Sequence, residues 1–456
     1  SSSEWCGFKD VFTLFTTKLK RKIRKKMKIK NLPKKLILRH VEILDPLKEK
    51  IFRGNVLIVN GKIAEVGKFN QPADVESMDC KGLTLTHGFC DLHVHFREPG
   101  EEDKETLESG SMAALSGGFT RVCTMPNTKP PIDSPESVRY IIEKSKDYPI
   151  HIHPIGAVTK GQKGIEISEM GLMKRAGAIA FSDDGLPIQN GFVMRKALEY
   201  SKMLNVPVIN HAEDDCLRCD GVMNEGIVSN RLGLPGNPSI SESTMVFRDL
   251  QLAEMTGAKL HVPHVSTAAS VKYIKEMKSS YNSVSAEVTP HHLFFNDEAL
   301  LNYDTNLKVA PPIRNDFSRD ALIRGIKQGV IDCIATDHAP HSLHEKQTTF
   351  DCASFGMIGL ESCFGVVKRL LVDEEGLSLI RLIKLLTIAP RKIMGFNSDL
   401  FKIGTEAELV LFNPVEKWKF NEKNVFSKSI NSPFYNQELI GRVRYTISKG
   451  KIAEII

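Results

Sequence analysis

Between residues 89 and 395 the chain alternates short apolar runs with longer amphipathic stretches. Apolar side chains three and four positions apart predict helices over 104–116, 134–145, 193–204 and 242–256. The apolar runs between these segments are short enough to predict strands. They cover residues 91–96, 120–125, 151–155, 178–182, 206–210, 259–265, 283–288 and 332–336. Eight strands with helices between most of them predict an α/β fold, a parallel (β/α)8 barrel over residues 89–395.

Two similar segments lie at opposite ends of the chain. Residues 57–66 read LIVNGKIAEV and residues 446–455 read TISKGKIAEI. Each has a β-type run, a turn containing glycine and a second β-type run, which is the pattern of a β-hairpin. We therefore expect one small β-sandwich domain, built from residues 35–88 and 396–456, beside the barrel.

The net charge of +6 belongs to the beginning of the chain. Eight of the 61 basic residues and two of the 55 acidic residues lie in residues 1–26, which leaves 53 of each. A basic run over 18–30 could bind nucleic acid or acidic lipid. Its lysine-rich, aromatic-poor composition is more typical of a solvated or artefactual extension, with Met27 as a native start. Residues 1–34 are therefore interpreted as a basic, disordered extension, and neither nucleic acid nor a membrane is expected as a partner.

The remaining composition is that of an ordinary globular enzyme, with 41% hydrophobic and 25% charged residues. No apolar run approaches the roughly 20 residues of a membrane span. Nine scattered cysteines favour a reducing, cytoplasmic compartment over a disulfide framework. Cys216 and Cys219 have metal-like spacing, but without a second pair a structural role is favoured.

Nitrogen and oxygen donors recur at the ends of the predicted strands. The donors are His93, His95, Asp184, His211, His264 and Asp337. Any one of them is equally well explained as a polar residue that caps the next helix. Six at corresponding strand ends are hard to explain in that way, and catalytic groups of a (β/α)8 barrel lie at this end. Imidazole and carboxylate donors suit zinc or a similar divalent metal, so the pattern predicts a metallohydrolase.

Five longer motifs resemble the amidohydrolase superfamily and, within it, the class I dihydroorotases. They are GFCDLHVHFREPG at 88–100, MPNT at 125–128, AFSDDG at 180–185, EVTPHH at 287–292 and ATDHAPH at 335–341. The resemblance extends from about residue 36 to the C-terminus. It implies a zinc-dependent, reversible cyclisation of N-carbamoyl-L-aspartate to dihydroorotate in pyrimidine biosynthesis.

The resemblance also implies a role for each matching residue. His93, His95 and Asp337 would bind one zinc ion, His211 and His264 a second where it is present, and Asp184 would bridge them. Asp337 would also be the catalytic proton acceptor. The residues that would hold the substrate are His95, Arg97, Asn127, His341, Phe355 and Gly356. A homodimer and an association with aspartate transcarbamoylase are further expectations.

The region around Ala310 leaves alternatives open. Ala310 precedes Pro311 where the family often has asparagine, so one substrate hydrogen bond is missing or replaced. Residues 308–314 look somewhat like allantoinase. Allantoinases and dihydropyrimidinases usually carry a carboxylated lysine on strand four, where this chain has Ile179, and this difference favours a dihydroorotase. A dihydroorotase-like scaffold without activity is a third reading, which the complete set of ligands disfavours.

Overall fold

The structure, a computed structural model, describes residues 27–69 and 74–456. Its strands in chain order are β1 (Met27–Asn31), β2 (Lys35–Asp45), β3 (Lys50–Val59), β4 (Lys62–Gly67), β5 (Glu76–Asp79), β6 (Thr84–His87), β7 (Phe89–Val94), β8 (Phe119–Thr124), β9 (His151–Pro154), β10 (Phe181–Ser182), β11 (Val208–Ile209), β12 (Met223–Asn224), β13 (Gly236–Asn237), β14 (Leu260–Val262), β15 (Val284–Val288), β16 (Cys333–Ile334), β17 (Leu409–Lys419), β18 (Glu438–Ser448) and β19 (Lys451–Ile455).

The α-helices lie mostly between the central strands. They are Leu107–Ser116, Pro135–Ser145, Met170–Ala176, Gly191–Leu204, Asp215–Arg218, Ile227–Leu232, Ile240–Thr256, Ala268–Lys278, Pro290–Phe294, Asp316–Lys327, Leu343–Lys346, Cys363–Val367, Leu379–Leu386 and Ile388–Met394. All four helices predicted from the apolar spacing are present, with ends within a few residues of the prediction.

Eight parallel strands form a closed barrel. β7, β8 and β9 pair in sequence, and so do β10, β11, β14, β15 and β16. Two parallel bridges join the groups, Gly156 to Phe181 on one side and Val94 to His338 on the other. The predicted (β/α)8 barrel is therefore confirmed, and its strands occur in the predicted order.

Local signals explain where the surrounding helices begin and end. The helix Pro135–Ser145 has proline in its first turn and Ser134 as its N-cap, which accepts a hydrogen bond from the Ser137 backbone. Its buried residues, Val138, Ile141 and Ser145, lie three and four positions apart. They place one face of the helix against the barrel.

Strands from both ends of the chain form a separate nine-stranded sheet. Its order is β1-β19-β18-β17-β6-β2-β3-β4, and β5 pairs with β2. Both predicted hairpins occur, β3 with β4 and β18 with β19. The sandwich arrangement and the predicted domain boundaries stay predictions.

The interpretation of residues 1–34 as a disordered extension is wrong for its last part. β1 begins at Met27 and pairs antiparallel with β19, with Met27 opposite Ile455. The Met27 side chain is buried. Alternation of Met27 and Ile29 with lysines marked this strand, but the adjoining lysine-rich run obscured it. Residues 1–26, on which the basic-tail prediction falls, lie outside the described residues.

A short insertion separates β11 from the helix Ile240–Thr256. It contains the helices Asp215–Arg218 and Ile227–Leu232 and the two-residue parallel pair of β12 with β13. This insertion lies at the carboxyl-terminal end of the barrel and adds residues to the pocket described below. In the described part of the chain, no helix has the length and apolar character needed to cross a membrane.

Candidate metal centre

The six predicted metal ligands lie together in one buried site at the carboxyl-terminal end of the barrel. They are His93 in β7, His95 just after it, and four residues just beyond the ends of β10, β11, β14 and β16, namely Asp184, His211, His264 and Asp337. None of the six is more than 8% exposed. The structure therefore brings together residues that lie up to 244 positions apart in the sequence.

The side chains of His93, His95 and Asp337 form one group of donor atoms around one oxygen of Asp184. The Nε2 atom of His95 lies 3.0 Å from Oδ1 of Asp337, and Nε2 of His93 lies 3.4 Å from the same oxygen. Oδ2 of Asp184 lies 3.3 Å from Nε2 of His93 and 3.5 Å from Nε2 of His95. Two imidazoles and two carboxylates therefore face one small volume.

A second group lies on the other side of Asp184. Nδ1 of His211 lies 2.9 Å from Nε2 of His264. Oδ1 of Asp184 lies 3.3 Å from His264 Nε2 and 3.6 Å from His211 Nδ1. Asp184 thus presents one oxygen to each group, which is the geometry of a carboxylate that bridges two cations.

The charges of the site suit a divalent cation. Burial would raise the pKa of Asp184, but the neighbouring His93, His211 and His264 hold it well below its usual range. Asp337 behaves in the same way, since His93 and His95 outweigh burial and lower its pKa. Two ionised carboxylates in a buried pocket of imidazoles form a donor set typical of zinc and similar metals. The residues present therefore fit a bound metal ion.

The carboxylate of the neighbouring Asp183 accepts hydrogen bonds from Thr159 and does not face the donor groups. Its Oδ1 accepts a hydrogen bond from the Thr159 backbone at 3.0 Å, and its Oδ2 accepts one from the Thr159 hydroxyl. The carboxylate therefore ties the loop after β10 to the loop after β9. This arrangement agrees with the choice of Asp184 over Asp183 as the bridging residue.

Two glutamates orient the histidines, and sequence reasoning gave neither of them a role. Oε1 of Glu287 accepts from Nδ1 of His93 at 2.8 Å, and its Oε2 accepts from Nε2 of His261 at 2.9 Å. Oε2 of Glu213 accepts from Nε2 of His211 at 2.9 Å. Each bond leaves the other ring nitrogen of the ligand free to face the centre, which is the usual arrangement behind metal-bound histidine. Glu287 belongs to the EVTPHH motif, which was the available signal.

Beside the donor groups lies a cavity of about 230 Å³. All the predicted substrate-binding residues line it, namely His95, Arg97, Asn127, His341, Phe355 and Gly356. Oδ1 of Asn127 is 2.7 Å from Nδ1 of His95, so the Asn127 amide connects the metal ligands to the cavity wall. The lining also includes Ala310 and, from the insertion after β11, Arg218. Sequence reasoning did not single out Arg218.

Arg97 is fixed by two contacts on one side of the cavity. Its Nε donates to the Pro340 carbonyl at 3.1 Å, and its Nη2 lies 3.2 Å from Nε2 of His341. Burial lowers the pKa of His341 to about 4, so this ring is neutral at pH 7. The backbone of Arg97 has a φ of 61°, in a region that side chains rarely adopt, and Asp337 has a φ of 48°. Such strain often accompanies functional positions.

Comparison with solved structures defines the class of fold. The L-hydantoinase (dihydropyrimidinase) of Arthrobacter aurescens superposes with a TM-score of 0.81 at 22% identity, over 91% of this chain and 95% of that one. The dihydropyrimidinase of Brevibacillus agri gives a TM-score of 0.80 at 21% identity, over 91% and 94% of the two chains. At these identities the likeness shows the fold alone. The chain therefore shares the barrel fold of these proteins and has a candidate site for a divalent cation at the carboxyl-terminal end of that barrel.

Comparison with curated sequences identifies the family. A model of dihydro-orotase-like proteins matches residues 82–270. A dihydroorotase of Pelotomaculum thermopropionicum is 43% identical over 418 residues, which is 92% of this chain and 98% of that protein. One of Caldanaerobacter subterraneus is 43% identical over 401 residues, or 88% and 93% of the two proteins. The chain belongs to the dihydroorotase family.

Proposed function

We propose that this protein is a cytoplasmic dihydroorotase that interconverts N-carbamoyl-L-aspartate and dihydroorotate, with one or two zinc ions held by the two donor groups. The observation that carries the proposal is the position of Asp184 between the groups, beside a cavity that contains Arg97. A planar guanidinium is suited to binding a carboxylate through two parallel hydrogen bonds. Dihydroorotate has such a carboxylate, whereas allantoin and dihydropyrimidines do not.

The metal would be held by His93, His95 and Asp337 on one side, by His211 and His264 on the other, and by Asp184 between them. When bound, zinc supplies hydroxide at neutral pH and polarises the carbonyl under attack. The chain's own groups then direct the reaction. Arg97, with Asn127 and His341, binds the substrate carboxylate and orients the ring.

Asp337 moves the proton. Its carboxylate is ionised in this site and can accept a proton from the attacking water. The ring amide bond breaks as the new carbon–oxygen bond forms, and Asp337 returns the proton to the departing ring nitrogen. In the direction of cyclisation the same carboxylate accepts the proton from the attacking nitrogen. The new carbon–nitrogen bond forms, and one oxygen of the protonated substrate carboxyl group leaves with that proton as water. Gly356 and Phe355 form the wall against which the cyclic amide lies.

A related cyclic amidase is the second candidate function. In those enzymes a carboxylated lysine on strand four would be expected, and here Ile179 stands at that position with Asp184 as the available bridge. A scaffold without activity would not need six buried ligands. Association with a second copy of the chain or with aspartate transcarbamoylase remains a prediction from the family resemblance.

Parallel assays with dihydroorotate and allantoin, each with added zinc, test the proposal. We expect turnover of dihydroorotate and little or none of allantoin. The Asp337→Asn variant, purified in the same way, controls for a contaminating hydrolase. A higher kcat/KM for allantoin than for dihydroorotate would assign the protein to the second candidate function.

A further inference from the structure

The side of the cavity formed by residues 355–356 has few hydrogen-bond donors left for a ligand. The Gly356 backbone N–H donates to the Lys308 carbonyl at 2.8 Å. The Phe355 carbonyl lies 2.8 Å from Nε2 of His341, and the Gly356 carbonyl accepts from Nζ of Lys346 at 2.9 Å. One of the two backbone donors of this segment, the Gly356 N–H, is therefore already engaged inside the protein.

The neighbouring wall is also poor in donors. Ala310 lines the cavity with a methyl group, where an asparagine would offer a carboxamide. The residue after it, Pro311, has no backbone N–H, and its carbonyl accepts from Nε2 of His292 at 2.8 Å. A substrate oxygen that faced the Ala310 methyl group or the Pro311 ring would lose its hydrogen bonds to water and would gain none from these two groups.

Arg218 supplies the missing donors. It lies at the end of the short helix in the insertion after β11, and it lines the same cavity as Ala310. Its guanidinium carbon lies 5.2 Å from the centre of the Phe355 ring, and its side chain is 27% exposed. This position holds the guanidinium over the residue that forms the cavity wall.

The guanidinium of Arg218 is not used up by internal bonds. Its Nε atom is buried and has no hydrogen-bond partner among the described residues. Its ion pair with Glu213 is long, with 3.9 Å between Nε of Arg218 and Oε2 of Glu213. That Glu213 oxygen already accepts from His211. A buried donor without a partner is costly, and a ligand oxygen would remove the cost.

We propose that Arg218 is a substrate-binding residue that donates hydrogen bonds to the ureide carbonyl oxygen of carbamoyl aspartate and of the ring formed from it. This inference rests on the proposed function. It divides the recognition between two arginines, since Arg97 takes the carboxylate and Arg218 the neutral carbonyl. It also names a replacement for the contact that Ala310 cannot make. The ureide oxygen is present in both substrate and product, so Arg218 binds both states about equally.

The test compares Arg218→Met with Arg218→Lys and with Arg231→Met, which removes an exposed arginine from the same insertion. Methionine keeps an apolar stem on the Phe355 ring and removes every donor. Loss of a hydrogen bond from a charged group should raise the KM for dihydroorotate and the inhibition constant of carbamoyl aspartate by roughly tenfold to a hundredfold. The value of kcat should change much less, because uniform binding is lost. Arg218→Lys should lie between wild type and Arg218→Met, and Arg231→Met should match wild type.

Two further measurements identify the group that Arg218 contacts. Succinate keeps the two carboxylates of carbamoyl aspartate and lacks the ureide, so its inhibition constant should stay within about twofold in Arg218→Met. Adding Ala310→Asn to Arg218→Met should recover part of the lost affinity, because the carboxamide offers a donor on the same wall.

Several results would overturn the inference. An unchanged KM in Arg218→Met would do so, even with a lowered melting temperature, because Arg218 would then only support Phe355. Equal weakening of succinate and carbamoyl aspartate would assign Arg218 to a carboxylate. If instead the wild-type protein with added zinc failed to turn over dihydroorotate, the proposed function itself would be wrong.

Discussion

Glu287 should control how tightly His93 holds a metal ion. The carboxylate is fully buried and accepts from Nδ1 of His93 and from Nε2 of His261, and it lies 3.4 Å from the His264 backbone N–H. Burial would raise the pKa of Glu287, but the hydrogen bonds from the two histidines lower it to about 2. An ionised carboxylate behind His93 makes the opposite ring nitrogen a better donor to a metal.

Replacing Glu287 with glutamine should separate charge from packing. The amide oxygen can still accept from His93, and the amide nitrogen then faces Nε2 of His261. That ring can move its proton to Nδ1 and donate to the Ser285 hydroxyl, which lies 2.8 Å away. Every polar group keeps a partner, so the fold should remain intact and only the negative charge is lost.

The expected loss for Glu287→Gln is tenfold to a hundredfold in metal affinity, a range typical of residues that orient a ligand, or about 1.4–2.7 kcal/mol. Glu287→Ala should also lower the stability of the fold. It leaves the ring N–H groups of His93 and His261 buried and unpartnered, at about 1–3 kcal/mol each. The metal-free alanine variant should therefore melt at a lower temperature than the metal-free wild type.

The assay is a competition titration of metal-free protein with a zinc-binding dye, together with the visible absorption of the cobalt-substituted protein and the melting temperature. Glu408→Gln is a matched control, since Glu408 is equally buried but pairs with Arg121 and Arg391 at the other end of the barrel. It should lower the melting temperature and leave zinc affinity unchanged. If Glu287→Gln bound zinc within twofold of wild type, Glu287 would be a structural residue only.

Four other outcomes can be checked. Asp337→Asn should lower kcat by at least about 10²-fold with the fold intact, and more than about a tenth of wild-type activity would rule out its role as proton acceptor. Arg97→Met should cost about 2–5 kcal/mol in kcat/KM for dihydroorotate, with little effect on a cyclic amide that lacks a carboxylate. Asp184→Ala should weaken zinc binding far more than Asp183→Ala. Metal-free wild-type protein should regain its activity when zinc is added in bicarbonate-free buffer, and a requirement for bicarbonate would indicate a carboxylated lysine. Burial lowers the pKa of His87 in the folded protein to about 3. The unfolded chain therefore binds a proton at this residue at higher pH than the folded protein, and the wild type should lose stability as the pH falls below about 6.5. The melting temperature of His87→Phe should fall less than that of the wild type between pH 7 and 5, and equal falls would show that His87 does not contribute.

The barrel could be predicted because each of its strands is a short apolar run with its own boundaries. The exact lengths of the strands depend on tertiary contacts, which the apolar runs do not encode. Residues 178–182 and 206–210 were predicted as full strands, yet β10 and β11 have only two residues each. β10 and β11 end early because the residues that follow them bend away from the sheet and place Asp184 and His211 in the candidate metal site.

The convergence of the six candidate ligands could be predicted from their repeated position at strand ends, but the residues behind them could not. His93 and Glu287 are 194 positions apart, and their contact exists only because β7 and β15 belong to one closed barrel. Apart from its place in the EVTPHH motif, no local pattern distinguishes Glu287 from another buried strand residue. Arg218 was missed for a similar reason, since β12 and β13 are too short for a periodic signal and the insertion is held by tertiary contacts.

Most of the candidate metal ligands and most of the proposed substrate-binding groups lie in different parts of the chain. The ligands lie in or immediately after barrel strands, where the ladder and buried glutamates fix their orientation. The groups that face the cavity, such as Arg97, Arg218 and His341, lie on longer connections between those strands and the helices. Connections can change without moving the ladder. Proteins about 21% identical can therefore share this barrel. With the role proposed for Arg218, we expect that alanine at position 310 together with arginine at position 218 changes what the cavity recognises and leaves the geometry of the candidate ligands unchanged.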